Sequence, residues 1–444
     1  MKKLSFSEIE NWFSGIEKIS VIPAYQANQV ARYLQNIIIS ILIVSSGISM
    51  SDIGMFEIWL FSIAMFSQFW IAGFKDAMVS NYNNLPDERR EDWIFNCVLA
   101  HLLAGTACAI LFWFFYPFID KGQESAESYN IRFTGMMYLI FYATAHLPEH
   151  IMLVRNQAKL LTKYTIFSFI LFLILFILYY FFFSYIYFMI TGLIVVAMIK
   201  SAVLFFLLRG TLSVRFKEIK YFITFSMPFI LISVLGYGME MVDGFMVVYF
   251  FDETAFPVYK YGAREIPLSS LLMNSLSVAM IPVLAAENKV SELFLQVKKY
   301  MHILFPFSVA LVWISKPAYI FFYNESFSDS ALIFNLYLLV IGSRVLLTHS
   351  VLLATGHQKW VLISGAFELV LNIILSLWWV NIWGLFGLVS ATVVAFYFQK
   401  FIMLFAMRRY LKLTLSDIVP VKWWLFYQLA LFVSLFANFV WFHA

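Results

Sequence analysis

The stretch from Thr162 to Leu208, TKYTIFSFILFLILFILYYFFFSYIYFMITGLIVVAMIKSAVLFFLL, decides the fold class. Its charged residues are Lys163 and Lys200, one near each end. An α-helix needs about 20 consecutive apolar residues to cross the roughly 30 Å of bilayer hydrocarbon. This stretch therefore reads as two crossings, 162–182 and 184–208, with barely a turn between them. Working outward, comparable runs fall at 29–48, 54–80, 94–117 and 131–153 on one side. On the other they fall at 221–250, 256–284, 297–318, 329–354, 358–380 and 384–407, and a further apolar stretch follows at 422–442.

Composition agrees. The 444 residues are 62% apolar, 20% aromatic and only 13% charged, against about 25% charged in ordinary soluble domains. Loops this short leave no room for a sizeable soluble domain. Met1–Ser20 lacks the apolar core of a signal peptide. Leu4, Ile9, Trp12, Phe13, Ile16 and Ile19 instead recur at helical spacing opposite Glu8, Glu10, Glu17 and Lys18. Residues 1–28 are accordingly expected to form an amphipathic segment on the membrane surface. Cys97 and Cys108 share a helix face about 16 Å apart along it, too far to bridge.

Positive residues stay with the cytoplasm. One set of loops holds Lys2, Lys3, Arg89, Arg90, Arg155, Lys159, Arg215, Lys217, Lys220, Lys298, Lys299, Lys359, Arg408 and Arg409, whereas the alternate loops hold only Lys121, Arg132, Lys260 and Lys316. The N-terminus is thus expected inside, with odd-numbered spans running outward. A repeat also surfaces. Leu153-Val154-Arg155-Asn156-Gln157-Ala158-Lys159 is matched by Leu353-Ala354-Thr355-Gly356-His357-Gln358-Lys359, and Ala77-Met78-Val79 by Ala279-Met280-Ile281. The expected fold is all-α and polytopic, with two pseudo-symmetric six-helix lobes, 29–208 and 221–407, around a central cleft. An extra C-terminal helix, 422–442, follows. Parallel repeats of this kind suit alternating access.

From Pro228 the chain reads Met239-Glu240-Met241-Val242-Asp243-Gly244, then Tyr259-Lys260-Tyr261-Gly262-Ala263, Asn274-Ser275-Leu276 and Ile281-Pro282. This resembles the seventh and eighth helices of polysaccharide-type flippases in the multidrug/oligosaccharidyl-lipid/polysaccharide exporter superfamily. Those often carry a proline early in the seventh helix, an acid after it, a Tyr-x-x-Ala-like entry to the eighth and a proline at its end. Together with the twelve-span layout, the resemblance covers roughly residues 25–410. It departs in the additional span and in Gly244, where many relatives have a basic residue. The resemblance implies a polyprenyl-pyrophosphate-linked saccharide, or another anionic lipid, turned from the inner to the outer leaflet of a bacterial cytoplasmic membrane. It implies no enzyme activity, no cofactor beyond coupling to membrane potential, Na⁺ or H⁺, no nucleic-acid partner, and a monomer in the bilayer.

Charges inside the membrane cost about 2.5–3.5 kcal/mol each on insertion scales, so each calls for a partner or a task. Arg264 sits at the same expected depth as Asp243 on the preceding span, so a bridge to Asp243 or Glu240 is one reading. A guanidinium gripping pyrophosphate is the other. Arg32 and Arg344 are the next candidates to line the cleft, with Tyr237 available to stack on sugar. Glu240, Asp243, Glu265, Glu57 and Glu368 are either coupling sites or partners of those arginines. Lys75, Asp76, Lys200 and Arg32 lie near cytoplasmic ends and can also snorkel. His146, Glu149 and His150 share one face beside Pro148, a spacing that reads as a polar contact at a helix bend rather than a metal site. Rival functions are a lipid II flippase, a cation- or proton-coupled multidrug antiporter, and, more remotely, a membrane glycosyltransferase or polymerase. The short outer loops lack any Asp-x-Asp and speak against the last, and no Walker motif is present.

Overall fold

The computed structural model describes residues 20–119, 126–183, 185–208, 214–264, 267–287 and 290–443. The surface segment expected at the N-terminus falls largely on 1–19, outside the described residues. Among the described residues the secondary structure is helical, without strands. In chain order the helices are α1 (Val21–Ser45), α2 (Met50–Tyr82), α3 (Asp87–Ile119), α4 (Ala126–Ala145), α5 (Leu147–Val154), α6 (Ala158–Leu178), α7 (Ile186–Leu207) and α8 (Phe216–Phe250). They continue as α9 (Ala255–Gly262), α10 (Pro267–Glu287), α11 (Val290–Phe322), α12 (Ser328–Tyr337), α13 (Ile341–Arg344), α14 (Thr348–Ala354), α15 (Gln358–Trp383), α16 (Leu385–Ala406), α17 (Leu415–Ile418) and α18 (Val421–His443).

Nine described helical stretches are long and apolar enough to cross a membrane, the C-terminal Val421–Trp441 among them. The protein is a multi-pass membrane protein. A tenth, α8, passes only as two segments, Phe216–Val234 and Gly236–Phe250, bent by 43°; the crossings that fall short are α1, the α4–α5 pair and the α9–α10 pair. The physical reason is visible in each. α1 starts at Val21, so residues 21–28 belong to it rather than to the surface segment, and it carries Asn28, Gln29 and Arg32. The expected span 131–153 breaks at His146, two residues before Pro148, which lacks the N–H that would continue the helical ladder and sits in the first turn of α5. The expected span 256–284 breaks after Gly262. There α9 packs so closely on α12 that a Cβ would stand 2.6 Å from the Ser330 carbonyl oxygen, while Ser330 Oγ donates to Val258 O at 2.8 Å.

The chain divides into two compact units, Met1–Tyr237 and Gly238–Ala444. Chain topology alone placed the lobes at 29–208 and 221–407. The boundary between the compact units falls inside α8, whose first half belongs to the first unit. Phe222 makes edge contacts with Phe74 and Trp93, at centroid distances of 4.9 and 5.4 Å, and stacks on His101. Gly73 leaves room for the Ile230 backbone on the same helix.

The C-terminal helix is part of the second unit. Asn438 Nδ2 donates to Val312 O at 3.0 Å, and Asn335 Nδ2 reaches Asn438 Oδ1 at 3.2 Å. Trp424 Nε1 donates to Gly342 O at 3.0 Å, and Tyr427 OH meets His302 Nδ1 at 2.7 Å. Apolar helices gain little from hydrophobicity when lipid is the solvent, so such interhelical bonds, each worth about 0.6–2 kcal/mol, fix the docking. The opposite face of α18, with Leu425, Phe432, Phe436 and Trp441, is exposed as a lipid-facing surface should be.

The loops after α5 and α14 share a backbone turn. Asn156 and Gly356 both adopt left-handed conformations, φ 56° and 78°. After α5, Gln157 N donates to Met152 O at 2.8 Å and Asn156 N to Leu153 O at 3.0 Å. After α14, His357 N donates to Leu352 O at 2.8 Å and Gly356 N to Leu353 O at 3.2 Å. Each is the paired C-terminal closure that a left-handed residue allows, reproduced two hundred positions later (356 − 156).

Candidate functional site

In the first unit the polar residues of α1 and the α4–α5 break meet. Arg32 Nη1 donates to Glu149 Oε1 at 2.5 Å; the glutamate side chain is fully buried, the arginine side chain 40% exposed. The break at His146 seats Glu149 in the first turn of α5, where the helix dipole favours an acid. Glu149 Oε2 has no hydrogen-bond partner, so the carboxylate is held from one side. Gln29 Oε1 accepts from Arg32 Nη2 at 3.1 Å and steadies the guanidinium. His150 Nδ1 pairs with the His146 carbonyl at 2.8 Å, which requires its proton there. Nε2 is then free to accept from Tyr25 OH at 2.9 Å. His150 is thus occupied at both ring nitrogens, whereas His146 Nε2 is buried without a hydrogen-bond partner.

Lys200 on α7 lies within electrostatic reach of both Glu149 and Arg32, with its ammonium 6.0 Å from the Tyr164 ring. Tyr237 acts electrostatically on Tyr142, whose ring lies 5.6 Å from that of His146, so it approaches the same cluster. Glu57 is buried within α2.

The second unit carries two polar groupings. In one, Thr392 Oγ1 donates to Asp243 Oδ2 at 2.6 Å, Asn372 Nδ2 donates to Thr392 Oγ1 at 3.1 Å, and Ser376 Oγ to Asn372 Oδ1 at 3.2 Å. Thr392 is itself anchored to Leu388 O at 3.1 Å. Asp243 Oδ1 is buried without a hydrogen-bond partner, and Tyr259 flanks the carboxylate. Glu240, one turn away on α8, is exposed and acts on Asp243 only through its charge.

The bridge from Arg264 to Asp243 read from the sequence is replaced by these uncharged partners. Breaking the helix after Gly262 takes Arg264 off the register that a continuous helix would impose. Its Nε donates to Lys260 O at 3.1 Å, and its guanidinium lies 5.1 Å from the Tyr261 ring centre. Glu265 lies outside the described residues.

In the other grouping, Gln399 Nε2 donates to the buried Glu368, which also feels the charges of Lys400 and Arg344. The Arg344 guanidinium lies 4.9 Å from the Phe396 ring centre. Lys200 and Lys400, two hundred positions apart (400 − 200), each lie within electrostatic reach of a buried glutamate in their own unit. Sequence reasoning undervalued Lys200 and passed over Lys400, Thr392 and Asn372. The spacing already found for the turns would have paired the two lysines.

A family model described as polysaccharide biosynthesis protein matches residues 47–332, well over half of the chain. The chain belongs to that family. No curated protein matches the sequence. Among solved structures, the lipid II flippase MurJ in its inward closed conformation is similar over 93% of this chain and 92% of its own, with a TM-score of 0.72 at 18% identity. An inward-facing multidrug resistance MATE family transporter is similar over 85% and 94%, with a TM-score of 0.58 at 15% identity. A transporter of the same superfamily from Pyrococcus furiosus covers 88% and 94%, with a TM-score of 0.55 at 15% identity. At these identities the likeness is one of fold. The fold is that of the multidrug/oligosaccharidyl-lipid/polysaccharide exporters, the superfamily that the sequence resembled.

Proposed function

We propose that the chain is an alternating-access flippase that carries a polyprenyl-pyrophosphate-linked saccharide from the inner to the outer leaflet of a cytoplasmic membrane. The reading takes the N-terminus to be inside, and the saccharide to serve cell-surface polysaccharide assembly. The observation that carries it is Arg32 held against Glu149. A half-exposed guanidinium keeps most of its N–H donors, and its planar fork matches a pyrophosphate better than an ammonium would. The carboxylate behind it is fully buried and singly bonded.

On this account the pyrophosphate takes Arg32 from Glu149 in the loaded state. Lys200, already within reach of Glu149, compensates the released carboxylate. When substrate leaves, Glu149 reclaims the arginine. The pair thus competes with substrate and keeps affinity low enough for release. Arg344 and Arg264, each stacked on an aromatic ring, are proposed to take the pyrophosphate in the other access state, and Tyr237 to stack on sugar.

Asp243 is proposed as the coupling centre. A buried carboxylate with one unpartnered oxygen, ringed by Thr392, Asn372 and the Leu388 carbonyl, offers oxygen donors suited to Na⁺ or to a proton. Membrane potential adds to export, since each negative charge moved outward gains about 2.3 kcal/mol per 100 mV with the interior negative.

A lipid II flippase is the second reading, favoured by the extent of shared fold with MurJ. Both readings need the same pyrophosphate chemistry, so the saccharide decides between them. The test is translocation in proteoliposomes loaded with polyprenyl-pyrophosphate disaccharide, with or without a pentapeptide. Preference for the unmodified saccharide supports polysaccharide export; preference for the peptide-bearing lipid overturns that choice.

A further inference from the structure

At one end of the first unit, the turn joining α2 to α3 and the first turn of α8 enclose a cavity of about 470 Å³. Its wall includes Asn81, Arg89, Trp93, Lys217, Glu218 and Tyr221. The acid there is already neutralised: Glu218 Oε1 accepts from Arg89 Nη2 at 2.9 Å and from Arg215 Nη1 at 3.4 Å. Arg89 spends one of its five N–H donors on that bond. Lys217 is exposed and has no ion pair among the described residues. Asn81 is 7% exposed, and its Nδ2, a pure donor, is buried without a hydrogen-bond partner. The cavity therefore offers donors and positive charge in excess of its acceptors.

One side of it is apolar in a directed way. Tyr221, 52% exposed, stacks on Phe225 at 5.9 Å, and Phe225 contacts Phe229 at 5.7 Å, so three rings climb α8 from the cavity toward the middle of the helix. Trp93, buried, sits 6.0 Å from Tyr221 on the cavity wall. Amphipathic rings at that level mark a membrane interface.

We propose that this cavity is a lipid-binding site. It takes the phosphate of an anionic lipid of the leaflet at that end, with an acyl or prenyl chain lying along Tyr221, Phe225 and Phe229. The head is recognised by Lys217, Arg89 and Asn81, and the ring ladder distinguishes a lipid from a free phosphate. The site is independent of the transport reading, because it lies at the helix ends and uses neither Arg32 nor Asp243.

The full chain, delipidated in detergent, is titrated with phosphatidylglycerol, phosphatidylcholine, undecaprenyl phosphate and glycerol phosphate, and occupancy is read by native mass spectrometry. One anionic lipid, of either kind, is expected to bind most tightly. Lys217→Glu is expected to weaken it at least about fivefold, since one basic residue near a membrane surface contributes about that factor. Phe225→Ala is expected to weaken both lipids. Equal binding of phosphatidylglycerol by wild type and Lys217→Glu, or equal binding of phosphatidylcholine, overturns the charge recognition. Glycerol phosphate binding as tightly as the lipids overturns the lipid assignment. Lys217 is exposed, so its variants fold; Lys217→Gln, with matching melting temperature, repeats the test without charge reversal.

Discussion

Arg32 and Glu149, 117 residues apart in sequence, stand 2.5 Å from each other with very different burial: the guanidinium is half-exposed, and the carboxylate is sealed. That asymmetry has consequences for stability. Arg32→Ala takes the hydrogen-bonded partner from a sealed carboxylate, leaving it the charge of Lys200 within reach, and is expected to cost about 3 kcal/mol. Glu149→Gln leaves only an accessible guanidinium and is expected to cost less than half as much. Thermal melting in detergent separates them, and adding Glu149→Gln to Arg32→Ala should recover stability. Equal losses from the two single variants would show that the pair is not held as the geometry implies.

Asp243 leads to a different test. If its unpartnered oxygen receives a cation, Na⁺ should raise the melting temperature of the wild type and leave Asp243→Asn unmoved. Thr392→Ala should reduce the effect. A proton-coupled centre would respond to pH and not to Na⁺; a response to neither removes Asp243 from the coupling role.

The paired turns allow a backbone prediction. Gly356 has open space around its Cβ position but a φ of 78°, so Gly356→Ala pays conformational strain alone, about 1 kcal/mol. Asn156 occupies the matching position, and Asn156→Gly should be neutral or stabilising by up to about 1 kcal/mol. Unequal signs in these two melting curves are the signature of the shared turn.

Outside the spans, Thr414 and Asp417 form a capping box: Asp417 Oδ2 accepts from Thr414 N at 2.6 Å and from its hydroxyl at 2.7 Å. Those bonds hold the Asp417 carboxyl below its ordinary value. A depressed acid stabilises above the unfolded value, near 3.9, and the contribution disappears as pH falls through the folded one. Asp417→Asn should therefore remove a small stabilisation at neutral pH and, with it, the acid-side slope in stability. An unchanged slope below pH 4 would contradict it.

Membrane residence was fully legible from Thr162–Leu208, because lipid demands long apolar helices and nothing else in a chain this poor in charge can meet that demand. The repeat was legible from a turn signature, because a left-handed residue at Asn156 and Gly356 is a local requirement. Partner choice was not. Periodicity assumed continuous spans, and the breaks at His146 and after Gly262 change which residues share a depth. Arg264 reaches the Lys260 carbonyl and the Tyr261 ring that way, and Glu149, read as part of a bend, gained Arg32 from a helix that starts eight residues before its expected position (29 − 21). Thr392 and Asn372 gave no signal, since neutral side chains carry no charge to count.

The central claim is that Arg32 exchanges Glu149 for a pyrophosphate during transport. The most direct measurement is translocation of a fluorescent polyprenyl-pyrophosphate-linked saccharide in proteoliposomes, comparing the wild type with the Arg32→Gln/Glu149→Gln double variant. That variant replaces the ion pair with a neutral polar contact and leaves Lys200 as the nearby charge, so its folding is checked by its melting temperature. The account predicts that it is folded and loses translocation. Translocation at the wild-type rate by the folded double variant would contradict it.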